Sequence, residues 1–211
     1  MAELRKRFMM EEFEDVADLT SVRLPDTTIL EYFRDLRDRI IEWNDDIEDD
    51  TLDIAHYIRK WNREDRGIDP DKRKPIRILI NSDGGSADVV MHLADTIALS
   101  KTPVITVGLS RVYSAGGLLL MAGHKRYIFP NTSCLIHDGS SGAIGNIGKV
   151  LDNLEFTKEQ EERIRSYIIG RTKIDAATYD NNYRRDWFLF SEDMIKLGIA
   201  DEIVTDLDAI L

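Results

Sequence analysis

Short apolar runs alternate with amphipathic stretches through the middle of the chain. The runs IRILIN at residues 76–81 and PVITVG at residues 103–108 are largely apolar, as expected for strands that are covered on both faces. Residues 87–99, between them, place their apolar side chains on one side of a helix. Two further short strands, RYIF and SCLIH, follow a buried helical run. This order of elements predicts an α/β layered fold with a largely parallel sheet.

The first part of the chain has a weaker pattern. Residues 1–24 have mixed charge and no clear period, and we expect them to form an N-terminal arm or a peripheral helix that orders only against a partner. Residues 25–43 favour a helix, although RII within them is also compatible with a short strand, and periodicity does not decide between the two. Residues 51–61 predict a helix with one apolar stripe in the core. We expect residues 25–211 to form a single domain.

The longest helical pattern covers residues 143–171. It has two apolar faces, separated by the charged stretch KEQEER, which we expect to be solvated. A helix of this kind often projects from one subunit and packs on another, and the alternative is a surface helix that wraps its own domain. The pattern leaves both open. The first face consists of Ile147, Val150, Leu151 and Leu154, and the second of Ile164, Tyr167 and Ile168.

Charge and cysteine content narrow the class of protein. The formal net charge is -11, from 39 acidic and 28 basic residues, which argues against nucleic acid or an anionic membrane as the main partner. The single cysteine, Cys134, excludes an intrachain disulfide framework. No apolar run reaches membrane-spanning length, and the N-terminus lacks the apolar core of a signal peptide. We therefore expect a cytoplasmic protein.

Ser114 is the candidate nucleophile. It lies at a predicted strand-to-helix junction, in SRVYSAGGLLLMAG. Spacing alone favours a helix cap, and Val112 occupies the first glycine position of a G-x-S-x-G elbow. At a helix N-terminus, however, a nucleophile gains from the positive end of the dipole. The amide of Ala115 would then face the same space and could stabilise an oxyanion.

A glycine pair and a histidine accompany this serine. Gly85 in NSDGG follows a strand and opens a helix, so its bare amide suits an oxyanion donor, although a simple turn or a phosphate-binding loop are alternatives. His137 ends a predicted strand and can act as a general base near neutral pH. Cys134 is a rival nucleophile, but at i and i+3 on one strand the two side chains point to opposite faces, so we assign Cys134 to the core.

The four longest motifs resemble the proteolytic subunit of Clp protease, the ClpP family. They are INSDGGS, GLSRVYSAGGLLLMAG, KRYIFPNTSCLIHD and RRDWFLFSEDMIKLGIADEIV, and their order and near-spacing match that family from about residue 39 to the C-terminus. The resemblance implies a ClpP/crotonase-like layered fold with a protruding long helix. It also implies a serine endopeptidase whose subunits form heptameric rings, usually stacked into a chamber that an AAA+ unfoldase feeds with polypeptide.

The resemblance assigns roles to individual residues. Ser114 falls on the family's nucleophile, His137 on its base and Asp186 on the carboxylate that orients the histidine. Spacing alone would leave Asp186 as a surface aspartate. Gly85 and Ala115 fall on the two oxyanion donors. Residues 143–171 fall on the handle helix that joins rings, and Arg185 keeps the family's arginine next to a ring-joining position, which implies an oligomer contact.

The chain also departs from the family pattern. Asp83 replaces the proline of NSPGG, Tyr113 replaces an alanine, and Arg184 replaces an acidic residue at the ring contact. The predicted triad residues are all present, so a peptidase is the main hypothesis. The alternatives are a catalytically silent ring subunit that assembles with an active paralogue, and a crotonase-like acyl-thioester enzyme, for which the sequence shows no coenzyme A site. No histidine pair has metal-ligand spacing, and we expect neither a metal nor another cofactor.

Overall fold

The computed structural model describes residues 27–210. The predicted N-terminal arm at residues 1–24 lies outside the described residues. The chain divides into two compact units, Met1–Ile40 and Ile41–Leu211. In the first unit the described structure is the helix α1 (Thr27–Asp38), followed by Arg39 at a left-handed φ of 63°.

Seven strands and six further helices follow α1 in the described part of the chain. The strands are β1 (Ile40–Trp43), β2 (Ile76–Ser82), β3 (Val104–Tyr113), β4 (Lys125–Ile128), β5 (Ser133–Ile136), β6 (Trp187–Phe190) and β7 (Glu202–Ile203). The helices are α2 (Leu52–Glu64), α3 (Ala87–Ala98), α4 (Ala115–Ala122), α5 (Ile147–Arg171), α6 (Ala176–Asn182) and α7 (Ser191–Lys196). Residues 25–43 therefore contain both of the elements that the sequence left open, a helix and then a strand.

The sheet confirms the predicted α/β class and its largely parallel pairing. Its main path runs β1-β2-β3-β4-β7, and β3 pairs in parallel with β2, β4 and β5. Strand β6 lies off this path and runs antiparallel to β5. Because parallel strands end on the same side of a sheet, the segments that follow β2, β3 and β5 come together at one edge.

The helix that follows β3 is enclosed by protein. Every residue of α4 is buried, as its run of small and apolar residues predicts. Its carboxyl end is held by Arg171, whose guanidinium donates to the carbonyls of Met121, Ala122 and Gly123. Tyr167 donates its hydroxyl proton to the carbonyl of Leu118 over 3.1 Å. The end of α5 therefore fixes α4 in place.

Strand β3 is longer than the apolar run that predicted it. The sequence pattern ends at Gly108, but the strand continues to Tyr113. The extension leaves β4 and pairs with β5 instead, with Val112 opposite Cys134. Ser110 and Arg111 are exposed, so the extension lacks the continuous apolar character of a strand covered on both faces.

The long helix α5 begins later than its sequence pattern. Its first residue is Ile147, because the Asn146 side chain accepts the Lys149 amide proton and caps the helix there. The two apolar faces behave differently. The first is exposed, at 81% for Ile147 and 57% for Leu151, whereas the second packs against the body and buries Ile168. No other part of the described chain covers the first face. The alternative of a surface helix that packs on its own domain therefore applies only to the second half of α5.

Candidate active site

Ser114 occupies a sharp turn between β3 and α4. Its backbone has φ 50° and ψ -118°, in a region that a residue with a side chain rarely adopts. Such strain in a non-glycine residue persists only where the surroundings impose it, and it clusters at functional sites. Ser114 holds the N-cap position of α4, but its hydroxyl makes no capping hydrogen bond. The capping role that spacing alone favoured is therefore not the one this hydroxyl performs.

The glycine pair lies directly against this turn. Gly84 has φ +121°, and a Cβ added to it would lie 2.8 Å from the Cβ of Ser114. Gly85 has φ +138°, and a Cβ there would collide with the backbone of Ile47. Both positions thus require glycine for two reasons, the backbone conformation and the close approach of a neighbour. This explains why NSDGG carries two glycines: both adopt the positive φ of a turn, and each also lies against a close neighbour.

The amide of Gly85 is left available by the pairing around it. The Ile47 amide donates to the carbonyl of Gly84 at 2.6 Å, and the Ser86 amide donates to the carbonyl of Ile47 at 2.7 Å. In this parallel bridge the amide of Gly85 itself points to the other side. The Ala115 amide is the first of α4 and has no partner within the helix.

His137 follows the last residue of β5 and is half-buried. Leu135 and His137 share one face of that strand, while Cys134 and Ile136 point into the core. Burial raises the pKa of the Cys134 thiol to about 12, so this cysteine is a neutral core residue, as its position relative to His137 predicted.

One cavity brings four of the predicted site residues together. It has a volume of about 500 Å³, within the range of small-molecule and peptide side-chain sites, and its lining includes Gly85, Ser114, Ala115 and His137. Its inner wall is apolar, from side chains of α4 and α5. These are Leu118, Met121, Ile164 and Ile168.

Asp186 is exposed and does not line this cavity. It immediately precedes β6, and the pairing of Ile136 with Trp187 places it opposite His137 if the register continues by one residue. The Asp138 amide donates to the carbonyl of Tyr183 at 2.7 Å, which holds the two segments together at this end. Among the described residues, no hydrogen bond joins Asp186 to His137. Arg185, also exposed, makes a backbone bond to Asn182 at 3.0 Å.

Sequence reasoning missed the contribution of α5 to this cavity. We expected the charged stretch KEQEER to be fully solvated, but Gln160 and Glu161 are half-buried and face the cavity. Their neighbours on the same helical face supply the signal that could have found them. Glu161, Ile164 and Ile168 stand at i, i+3 and i+7, which is one continuous helical stripe.

Within residues 27–210 there is no cluster of three or more His, Cys, Asp or Glu side chains that could hold a metal ion. No helix in the same range is long and apolar enough to cross a membrane. Besides its carboxylates, the cavity offers the Ser114 hydroxyl, the His137 imidazole and the backbone amides of Gly85 and Ala115, groups that suit acyl transfer.

Comparison with protein-family models assigns the chain to a family. The model described as Clp protease matches residues 30–206, which is most of the chain and includes the strands, the serine turn and all of α5. The members of this family are serine-type peptidases, and their mixed α/β fold is the one described above. The chain therefore belongs to the Clp protease family.

Proposed function

We propose that this protein is a serine endopeptidase that cleaves unfolded polypeptides or peptides. Ser114 is the nucleophile, His137 the general base and Asp186 the carboxylate that orients the imidazole. The amides of Gly85 and Ala115 form the oxyanion hole. The observation that carries the proposal is the strained, uncapped Ser114 in one cavity with His137 and both amides.

The proposed reaction has two steps. Ser114 Oγ bonds to the scissile carbonyl carbon while His137 takes the hydroxyl proton, and the two amides hold the negative oxygen. The C–N bond then breaks, and His137 gives its proton to the departing amine. Water, deprotonated by His137, attacks the acyl-enzyme; the Oγ–C bond then breaks, His137 returns the proton to Oγ, and the acid is released with Ser114 restored.

We also propose that the active particle is a homo-oligomer of heptameric rings, which can stack. The exposed apolar face of α5 supports this, because Ile147, Leu151 and Leu154 form a stripe that no described residue of the same chain covers. Arg185 is exposed at the end of the segment before β6, where a neighbouring subunit could reach it. An AAA+ unfoldase as substrate supplier and a cytoplasmic location complete this proposal.

One observation favours a second candidate, a catalytically silent ring subunit. Asp186 is exposed and makes no hydrogen bond to His137 within residues 27–210, so the contact that would orient the imidazole is not formed in the single protomer. A subunit of this kind would need an active paralogue in a mixed ring. The two candidates differ in whether the isolated chain reacts at Ser114.

The direct test is labelling of the purified homo-oligomer with a fluorophosphonate probe, followed by peptide hydrolysis. We expect the probe on Ser114, no labelling in Ser114→Ala, and loss of hydrolysis in the same variant. Ser110→Ala is the matched control, since Ser110 is an exposed serine on β3, four residues before Ser114. Full hydrolysis by Ser114→Ala would overturn the assignment, and labelling only after a paralogue is added would favour the silent subunit.

A further inference from the structure

The cavity beside Ser114 combines an apolar wall with an acidic rim. Leu118, Met121, Ile164 and Ile168 form the apolar part, and α5 adds Glu161 to the lining, one turn before Ile164 on the same helical face. A long side chain that enters this cavity would lie on the apolar wall and present its end to the rim. What the rim carries therefore determines which side chain is preferred.

Three carboxylates line the cavity, and neither lysine nor arginine does. Two of the three are already engaged. Asp83 pairs with Arg111 at 3.3 Å, outside the cavity lining, and Asp88 accepts a hydrogen bond from Gln160 at 2.6 Å. Glu161 is half-buried and forms no ion pair with any other residue of the described chain.

The carboxylate of Glu161 lies next to the segment that follows His137. A Cβ built on Gly139 would be 3.3 Å from Glu161 Oε1, so this oxygen is close to the backbone two residues beyond the predicted base. The same side chain also lines a second cavity of about 850 Å³, which shares Gly139, Ser141 and Thr157 with the first. Its carboxylate is thus common to both cavities.

We propose that Glu161 is a specificity-determining residue that selects a cationic side chain, lysine or arginine, at the residue whose carbonyl Ser114 attacks. The inference rests on the proposed peptidase function. The aliphatic stem of such a side chain packs on Leu118 and Ile164, and its charged end pairs with the Glu161 carboxylate. Partial burial of the unpaired Glu161 carboxylate costs hydration free energy, and pairing with a substrate cation offsets this cost. An acidic substrate side chain would instead be repelled by the carboxylate.

The test compares two fluorogenic peptides that differ only in the side chain before the scissile bond, lysine in one and norleucine in the other. Norleucine keeps the aliphatic stem and lacks the ammonium group. We expect kcat/KM for the lysine peptide to exceed that for norleucine, and Glu161→Gln to lower the lysine value about threefold to tenfold, as for a partly exposed ion pair. The norleucine value should change little.

Glu159→Gln is the matched control, because Glu159 is an exposed glutamate on the same helix, outside both cavities. It should leave the lysine-to-norleucine ratio unchanged. Glu161→Lys should reverse the preference toward a peptide with glutamate at that position. Hydrolysis of norleucine at least as fast as lysine, with a ratio that Glu161→Gln does not alter, would overturn the inference alone. Absence of hydrolysis and of fluorophosphonate labelling would instead overturn the proposed function.

Discussion

The amide nitrogen of Ser114 donates a hydrogen bond to the carbonyl oxygen of Leu135 at 2.9 Å. Leu135 precedes His137 by two residues and shares a face with it at the end of β5. This bond therefore fixes the strained serine turn against the strand that carries the histidine. The spacing of hydroxyl and imidazole depends on the sheet and not only on side-chain rotamers, so we expect backbone substitutions near the turn to affect activity.

Gly84 tests this dependence. In Gly84→Ala the new methyl group would lie 2.8 Å from the Cβ of Ser114, at a φ of +121°. We expect stability to fall by about 1–3 kcal/mol from the strained conformation. Because the turn must shift, peptide hydrolysis should fall on the order of a hundredfold. Urea unfolding and initial-rate assays measure the two effects.

Gly67→Ala is the control variant, because it introduces a strained backbone conformation without a steric contact. Gly67 also has a left-handed φ, +88°, but a Cβ there meets nothing within 4 Å. Its stability should fall by about 1–2 kcal/mol while hydrolysis stays near the wild-type rate. Equal activity losses in the two variants would show that the Gly84–Ser114 approach has no special importance.

His124 makes the free energy of unfolding depend on pH. Its Nδ1 accepts the Val104 amide proton at 2.9 Å, so the ring must be neutral at that atom. Burial, and next the positive charge of Arg171, lower the pKa of His124 below its ordinary value of 6.5. As the pH falls, the unfolded chain therefore binds a proton at His124 before the folded chain does. The contribution of neutral His124 to the free energy of unfolding is complete above about pH 6.5 and decreases as the pH falls below that value.

The measurement is the free energy of unfolding from pH 8 to pH 5. His124→Asn should flatten the part of the curve below about pH 6.5, whatever its effect on stability at neutral pH. His56→Gln is the comparison, because His56 is exposed on α2. An unchanged slope in His124→Asn would assign the pH dependence to other groups.

The chain shows which features of a site a sequence can reveal. Apolar runs predicted the buried strands, since burial on both faces leaves a continuous signal, as in Ile76, Ile78 and Ile80. The end of β3 was missed because its exposed Ser110 and Arg111 interrupt that signal. Glu161 was missed because it stands in a charged stretch, where only its spacing from Ile164 and Ile168 marks the shared face, and the elements that bury this face are distant in sequence.

The exposed stripe on α5 predicts that assembly depends on this helix. In the double variant Leu151→Asp and Leu154→Asp, two carboxylates replace side chains that are 57% and 49% exposed in the protomer. Folding should be little affected, because exposed substitutions usually change stability by about 0.5 kcal/mol or less. Burial of two charges at a subunit contact is unfavourable, so we expect sedimentation to show smaller particles. Leu99→Asp, on an 83% exposed leucine outside α5, should keep the full particle mass.

The position of Asp186 gives the prediction that best separates an active enzyme from a dormant one. Continued by one residue, the β5–β6 register sets Asp186 opposite His137, where directly paired side chains point to the same face. A modest shift of the exposed aspartate would then complete the relay in the assembled particle. If it does, Asp186→Asn should lower kcat about ten-thousandfold, because the wrong histidine tautomer is favoured, while the peptide KM changes little.

Asp193→Asn, on an exposed aspartate in the first turn of α7, should retain full activity. If the wild-type enzyme is fast and Asp186→Asn is equally fast, Asp186 has no part in the mechanism. If both hydrolyse the peptide equally slowly, the contact between Asp186 and His137 is not formed in the assembled particle.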